Sequence, residues 1–424
     1  MKTGTMRNTT IWTVCVVFAL GMATITGQAA IDGITNTVVN LTAKSGHITT
    51  PDGNSIMIWG YANGSGVAQY PGPTLIVKQG ATVTINLQNQ LPVPTSIVFP
   101  GQTGVTGSGG TAGLLAREAP ASGGSVSYTF TASQPGTYLY NSGTRPDLQV
   151  EMGMMGAIIV RPTVVTQAYN HADTAFDTEF LFLLSEMDPR YHELVEQDRM
   201  SEIDTSTFFP VYWFINGRCG PDTLTDSYVS WLPNQPYSCA PMMYPGQKLL
   251  MRLVGGGRDP HPFHFHGNNA TIVARDGRML ESNPGVSGPD LAESDFTITT
   301  HPGGTTDAIF TWTGAKLGWD IYGHKPGDPL MPNEYAPDHG KPFPIIMPSA
   351  QELAYGEHFS GGPFLGQTGF EYPGTFNLNP EGAYMYMWHS HSEKEIVNDD
   401  IFPGGMMTML MIMMPSTNAV MMAP

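Results

Sequence analysis

The chain is poor in charged side chains, and those that it has are mostly acidic. Of its 424 residues only 13% are charged, with 19 Lys and Arg against 36 Asp and Glu, which gives a formal net charge of -17 at pH 7. A chain this negative repels phosphate backbones and anionic lipid surfaces. We therefore expect no nucleic-acid partner, whereas metal ions and small neutral reductants suit such a surface.

Long apolar runs are absent after residue 30, and no later segment reaches the roughly 18 residues that a membrane-spanning helix needs. Residues 1–30 themselves predict an export signal. Lys2 and Arg7 precede an apolar stretch at residues 11–22, and residues 27–30 supply a small-residue cleavage site. We expect a mature chain without a transmembrane segment, exported to the periplasm or outside the cell.

Cysteine is almost absent, with 3 in the whole chain, which argues against an iron-sulfur site. One of the three, Cys15, lies in the predicted signal and would be removed with it. Cys219 and Cys239 remain, and an oxidising compartment favours a disulfide between them over two free thiols.

The turn formers Gly and Pro are abundant, at 49 and 35 residues, so long helices are not expected. Short β-branched and aromatic runs, such as residues 125–130 and 248–254, alternate with Gly, Pro and Asn, which is typical of sandwiches or barrels. The sequence predicts an all-β fold with two tandem units at residues 31–165 and 175–424. Residues 314–382 show little periodicity and are interpreted as a long insertion in the second unit.

Histidines cluster at two places in the second unit. His261, His264 and His266 lie within six residues, and a single residue separates His389 from His391. On an extended strand, residues i and i+2 face the same side, so each H-x-H pair forms a claw of two imidazoles. Imidazole suits copper and zinc, and two claws on neighbouring strands can surround a metal ion. We predict a copper or zinc site built from these histidines.

The motif H-P-F-H-F-H-G at residues 261–267 resembles the multicopper oxidase family, whose members are built from cupredoxin domains. The stretches at residues 214–218, 273–278 and 402–407 resemble the same family. The resemblance implies tandem cupredoxin-like domains of Greek-key topology. It also implies that His261 is a ligand of the type 1 copper and that the other four clustered histidines hold the trinuclear copper cluster.

Six positions depart from the ligand pattern of that family. Ser390 stands where the type 1 cysteine is expected, and Glu395 stands where the next type 1 histidine is expected. A hydroxyl cannot replace the soft thiolate, so no ordinary type 1 centre can form. The first unit also lacks the histidines that would complete the trinuclear cluster; the positions concerned are Val98, Pro100, Asn141 and Gly143.

Three functions are therefore open. The chain is a copper-dependent oxidoreductase with a reduced, non-blue site, or a non-catalytic copper-binding, storage or structural protein of the cell envelope. The third alternative is a subunit that completes a copper cluster at the interface of a homo-oligomer. His324, His339 and His358 in the insertion are spare imidazoles for such a cluster. The sequence identifies neither a substrate nor a catalytic residue.

Methionine is unusually abundant, at 25 residues. Several lie along the last predicted strand, at Met406, Met407, Met409, Met411 and Met413. Their alternation predicts flexible hydrophobes that fill the core, and the alternative is the capture of Cu(I) by exposed thioethers. Met421 and Met422 in the tail are better candidates for exposed thioethers.

Overall fold

A computed structural model describes residues 31–322, 324, 327–331, 334–342, 361–363 and 384–413. The predicted signal at residues 1–30, His358, Met421 and Met422 lie outside these residues. Among the described residues, helices are few and short: α1 is Pro146–Gln149, α2 is Pro189–Glu196, and single 3-10 turns lie at Ala172–Thr174, Met200–Glu202, Asp222–Leu224, Ala336–Asp338 and Glu393–Glu395. The remaining regular structure is β-strand, so the predicted all-β fold is confirmed.

A first group of strands, β1–β10, lies between residues 38 and 161. In chain order these strands are Val38–Thr49, Ser55–Asn63, Leu75–Lys78, Thr82–Asn89, Thr106–Gly109, Thr111–Ala112, Arg117–Glu118, Ser125–Thr131, Gly136–Asn141 and Met155–Arg161. One sheet has the order β2-β1-β4-β8-β5 and a second has the order β3-β10-β9, while β6 pairs with β7. Strand β8 shows why they form a sandwich, because its residues are alternately exposed and buried.

A second group, β11–β23, lies between residues 178 and 412. In chain order these strands are Thr178–Met187, Tyr212–Ile215, Met242–Met243, Lys248–Gly255, His261–Phe265, Ala270–Arg275, Arg278–Met279, Glu293–Asp295, Thr297–Thr300, Thr305–Thr311, Gly361–Pro363, Tyr384–Ser390 and Met407–Ile412. One sheet has the order β12-β11-β14-β20-β16-β17, with β18 beside β16. The other has the order β13-β23-β22-β15-β19, with β21 beside β22.

Aromatic side chains fill the space between the two sheets of the second group. The ring of Phe182 lies 5.3 Å from that of Phe263, and the ring of Trp388 lies 5.7 Å from that of Phe265 and 5.1 Å from that of Phe310. Rings at these separations stabilise a core beyond the area that they bury. Since Phe263, Phe265 and Trp388 alternate with histidines along β15 and β22, this core fixes the direction in which the histidines point.

The described strands of the two groups share no sheet, and a buried network of charges joins the groups instead. Arg252 on β14 is fully buried and donates to Glu179 at 2.9 Å and to the Thr137 hydroxyl of the first group at 3.0 Å. Arg161 of the first group also pairs with Glu179, and Thr137 donates to Asp307 at 2.5 Å. The boundaries of the two predicted units stay a prediction. The charge network joins the strand groups together with a hydrophobic cluster to which both groups contribute.

The predicted disulfide is wrong in this structure, because Cys219 and Cys239 are both free and buried. Cys219 packs in the hydrophobic cluster shared by the two strand groups, whereas Cys239 packs in the core of the second group. The Cys239 thiol donates to the carbonyl oxygen of Ile215 at 2.8 Å. Each thiol therefore has its own apolar surroundings, and burial raises the pKa of both.

We expect Arg252→Leu to lower the free energy of unfolding by about 3–5 kcal/mol, because it leaves Glu179 and Asp307 as buried charges without this partner. Denaturant unfolding followed by circular dichroism measures the change. Arg145→Leu is the matched control, since Arg145 pairs with Asp147 on the surface and such pairs contribute less than about 1 kcal/mol. Equal losses in the two variants would contradict the structural role of the network.

Candidate metal centre

The antiparallel pairing of β15 with β22 brings the two histidine clusters together. His264 lies directly opposite His389, and Phe263 and Phe265 lie opposite Ser390 and Trp388. Side chains directly opposite each other on an antiparallel pair share one face of the sheet. The register therefore places the imidazoles on one face and the aromatic core residues on the other.

Three imidazoles converge on that face. The ring of His264 lies 4.7 Å from that of His266 and 5.4 Å from that of His389. The Nε2 atoms of His266 and His389 are 3.2 Å apart, and one nitrogen from each of the three rings lies within 4.8 Å of the others. His391 stands at the edge of this imidazole cluster, with its ring 4.9 Å from that of His264 and its side chain 56% exposed.

The surroundings favour the neutral forms of His264 and His389 and orient both rings. Burial, followed by the neighbouring imidazoles, lowers the pKa of His264 to about 4, and burial also lowers the pKa of His389. The Nδ1 atom of His389 lies 2.6 Å from the carbonyl oxygen of Ser390. Because a carbonyl only accepts, this Nδ1 carries the hydrogen and Nε2 has a free electron pair for a metal. The hydroxyl of Thr297 lies 2.8 Å from Nδ1 of His264 and orients that ring, but a hydroxyl can donate or accept and so does not select the tautomer.

The donor set fits a single transition-metal ion. Two imidazole nitrogens bound to one ion at near-tetrahedral angles are about 3.3 Å apart, which agrees with the 3.2 Å between His266 and His389. Neutral imidazoles without a carboxylate or thiolate are ligands that copper and zinc accept. His264, His266 and His389 are the residues that would hold the ion, with His391 within reach at the edge. As a metal site this cluster stays a prediction.

His261 points into the core instead and binds two buried carboxylates. Its Nε2 lies 2.8 Å from Glu186 and its Nδ1 lies 2.9 Å from Glu395. Ser390 donates to the same Glu395 oxygen at 2.7 Å. Burial alone would lower the pKa of His261, but the hydrogen bonds and charges of Glu186 and Glu395 outweigh it and raise the pKa to about 9.

This core network occupies the positions that the family pattern assigns to a type 1 copper. Both ring nitrogens of His261 carry hydrogens when the ring is protonated, so neither has an electron pair for a metal. Ser390 supplies a hydroxyl, and Glu395 directs its carboxylate at His261. These residues do not fit a type 1 copper, and the geometry gives no support to His261 as a metal ligand.

In the first strand group, the positions that correspond to the two H-x-H pairs have a similar backbone pairing but carry no imidazoles. Val98 and Asn141 form a β-bridge, with mutual hydrogen bonds of 2.8 and 3.2 Å. This pairing matches that of His264 with His389. A side chain at Gly143 would start only 2.6 Å from a methyl group of Val98, so Val98 fills the room that a second claw would need.

The face that carries the imidazole cluster continues as a row of methionines. Met385 and Met387 on β22 lie opposite Met411 and Met409 on β23, and His389 lies opposite Met407. These methionines are half-buried, whereas Thr408, Leu410 and Ile412 point into the core. The prediction that alternate methionines of the last strand fill the core is thus wrong for Met407, Met409 and Met411, and it holds for Met406.

The spare imidazoles of the insertion do not reach this cluster in the described structure. His324 and His339 instead form a separate group with Asp320 and Glu334. The sequence analysis also missed Glu186, which precedes His261 by 75 residues. No spacing signal links these residues, because only the folded strands bring them together.

Comparison with known proteins places the chain near one family. Residues 42–164 match the family model described as multicopper oxidase. Copper resistance protein A of Escherichia coli is 24% identical over 277 residues, which are 59% of this chain and 44% of that protein. An iron transport multicopper oxidase of Epichloe festucae is 28% identical over 216 residues, which are 49% of this chain and 30% of that protein. The chain spans less than half the length of these curated relatives.

The solved structures agree on the fold. The multicopper oxidase mgLAC superposes with a TM-score of 0.56 at 18% identity, covering 88% of this chain and 85% of that chain. At this identity the likeness shows the fold alone. The resemblance to multicopper oxidases and the cupredoxin-type fold are both confirmed. Among the described residues, no helix has the length and apolarity to cross a membrane.

The folded chain should lose stability above neutral pH through His261. Its folded-state pKa, about 9, lies above the ordinary 6.5, so its contribution is complete below pH 6.5 and is lost as the pH rises through about 9. The loss is up to about 3 kcal/mol. Denaturant unfolding between pH 6 and 10 measures it, and His261→Gln should remove this part of the pH dependence.

His47→Gln is the control for that measurement, because His47 pairs with Glu196 on the surface. Its pH profile should follow that of the unmodified chain. A profile unchanged by His261→Gln would show that the core network does not hold a proton.

Proposed function

We propose that this chain, a relative of the multicopper oxidases, is an exported copper-binding protein whose imidazole cluster binds copper without a blue-copper centre. The observation that carries the proposal is the convergence of His264, His266 and His389, with the Nε2 atoms of the last two 3.2 Å apart. Relatives whose names refer to copper resistance and to multicopper oxidases support copper as the ligand. Export rests on the signal-like pattern of residues 1–30.

The row of half-buried methionines beside the imidazole cluster, which we call the methionine face, favours copper over zinc as the bound metal. It consists of Met385, Met387, Met407, Met409 and Met411. Thioethers are soft donors that select Cu(I), and zinc sites use imidazole, thiolate and carboxylate ligands instead. The directly opposed pairs Met385 with Met411 and Met387 with Met409 lie on the face that also carries His389. Along this face, thioether donors are therefore followed by imidazole donors at His389, and a Cu(I) ion could bind to both kinds.

Oxidoreductase activity is the second candidate, and one observation favours it. His391 is more than half exposed and stands at the edge of the imidazole cluster, so small reductants can approach the site directly. Copper supplies one-electron chemistry when bound. The chain itself orients the ligands through Thr297 and the Ser390 carbonyl. Ser390 supplies a hydroxyl at the position between His389 and His391 where the family pattern has a thiolate.

Metal analysis, electron paramagnetic resonance and native mass on the signal-cleaved, copper-loaded protein test the proposal. We expect stoichiometric copper with a normal, non-blue Cu(II) spectrum. Turnover of a small reductant by this protein would support the oxidoreductase, and its absence would leave a binding protein. Copper held only by an oligomer would support a site shared between chains, and a chain that retains no copper would refute the proposal.

We expect His264→Ala combined with His389→Ala to abolish stoichiometric copper binding, because two of the three converging ligands are removed. The copper content after gel filtration measures the change. His171→Ala is the control, since His171 lies in another part of the chain, where its Nδ1 accepts a hydrogen bond from the backbone of Asp173 and lies 3.7 Å from the carboxylate of the same residue. Equal copper in both proteins would contradict the site.

The methionine face should matter for Cu(I) and not for Cu(II). We expect Met387→Leu combined with Met409→Leu to weaken Cu(I) binding about tenfold, the loss typical of groups beside metal ligands. Competition with a Cu(I) chelator under anaerobic conditions measures it. Met243→Leu is the control, because Met243 is buried on the opposite face of the same sheet. Equal weakening of Cu(II) binding would argue for a general loss of structure.

A further inference from the structure

A second group of metal-type ligands lies in the segment that follows β20. Asp320, His324, Glu334 and His339 each offer one ligand atom, and these atoms lie within 4.8 Å of one another. The His324 Nδ1 atom is 2.7 Å from Asp320 and 3.3 Å from Glu334, and the His339 Nδ1 atom is 2.9 Å from Glu334. The two imidazole rings are 4.5 Å apart.

Backbone N–H groups donate hydrogen bonds to the carboxylates of Asp320 and Glu334 and fix their positions. Asp320 accepts from the backbone nitrogens of Tyr322 at 2.8 Å and Gly340 at 2.7 Å. Glu334 accepts from the backbone nitrogen of Met331 at 2.8 Å. These contacts orient the carboxyl groups, as the outer partners of metal ligands do in known sites. The side chains of Asp320 and Glu334 are 2% and 3% exposed, so the chain has buried two charges here.

Tyr322, which lies between Asp320 and His324 in the sequence, carries a buried hydroxyl. It is 6% exposed, its ring lies 5.6 Å from that of His324, and its hydroxyl has no hydrogen-bond partner in the described structure. A buried polar group without a partner costs free energy unless something else satisfies it, such as the water or hydroxide that accompanies a bound ion.

We propose that Asp320, His324, Glu334 and His339 form a second metal site, which takes a first-row divalent ion of the Zn²⁺ class. Two carboxylates neutralise a divalent charge, and two imidazoles with two carboxylate oxygens are an established donor combination for zinc. The donor set differs from that of the imidazole cluster, which contains no carboxylate. The two sites therefore prefer different ions.

The site would fasten a segment with little regular structure onto the second core. Ile321 and Tyr322 pack in the aromatic core of the second strand group. The Asp320 backbone nitrogen donates to the Lys341 carbonyl oxygen at 2.8 Å. An ion bound to all four ligands would crosslink residues 320–324 to residues 334–339, and binding of this kind stabilises the folded state.

The test uses the full mature chain that carries His264→Ala and His389→Ala, so that the imidazole cluster does not compete. We expect this protein to retain about one Zn²⁺ per chain when Zn²⁺ alone is added and the excess is removed. Adding Glu334→Gln and His339→Asn should weaken Zn²⁺ binding by at least about tenfold. Isothermal titration and metal analysis provide the readouts. A parent protein without zinc, or a variant that retains it, would overturn the proposal.

Two controls keep the result separate from folding and from copper binding. His171→Gln with Asp173→Asn removes a histidine and carboxylate pair on the surface, and it should leave zinc unchanged. In the unmodified background, Glu334→Gln with His339→Asn should lower zinc and leave copper loading of the imidazole cluster intact. If circular dichroism shows that the double variant is unfolded, zinc binding is measured on His339→Asn alone. We expect this variant to fold, because the His339 side chain is 24% exposed.

Discussion

The register between β15 and β22 is the constraint on which the proposed metal site of this chain depends. It sets His264 opposite His389 and Phe263 opposite Ser390. Because side chains alternate between the two faces of a sheet, a shift by one residue would turn the imidazoles into the aromatic core and the aromatic rings into solvent. The packing of Trp388 against the surrounding rings opposes such a shift. The packing that stabilises the core therefore also fixes the positions of the imidazoles.

The same alternation explains why the side chain of His261 lies on the opposite face of the sheet from those of His264 and His266. It is three residues from His264, so it lies on the inner face with Phe263, while His264 lies on the outer face. On the inner face His261 lies between the buried carboxylates of Glu395 and Glu186. A buried charge is costly unless it is paired, so the protonated imidazole and these carboxylates stabilise one another.

Parts of the site follow from local sequence, and other parts do not. The i, i+2 rule is local, so it predicts that each H-x-H pair lies on one face of its strand, and the inward position of His261 follows from the same rule. The convergence of His264, His266 and His389 depends on the pairing of β15 with β22, which is not local. Of the carboxylates around His261, Glu395 was expected there only through the family resemblance, and Glu186 was not predictable, because it is 75 residues away and only the fold brings it close. The alternation of the methionines was visible, but the face that they occupy depends on the pairing of β22 with β23. The predicted disulfide was also wrong because it depends on the fold: Cys219 and Cys239 are near in sequence but lie in different hydrophobic clusters.

Two donor sets in one chain raise the question of how each obtains its own ion. Affinity alone does not decide it, because Cu(II) binds nitrogen and oxygen ligands more tightly than Zn²⁺ does, and a site of imidazoles and carboxylates would accept it. Oxidation state provides the distinction. Cu(I) prefers thioether and imidazole to carboxylate, so the methionine face beside His389 suits copper in its reduced form. If copper arrives as Cu(I), the carboxylates of Asp320 and Glu334 have little attraction for it, and their site stays available for a harder divalent ion.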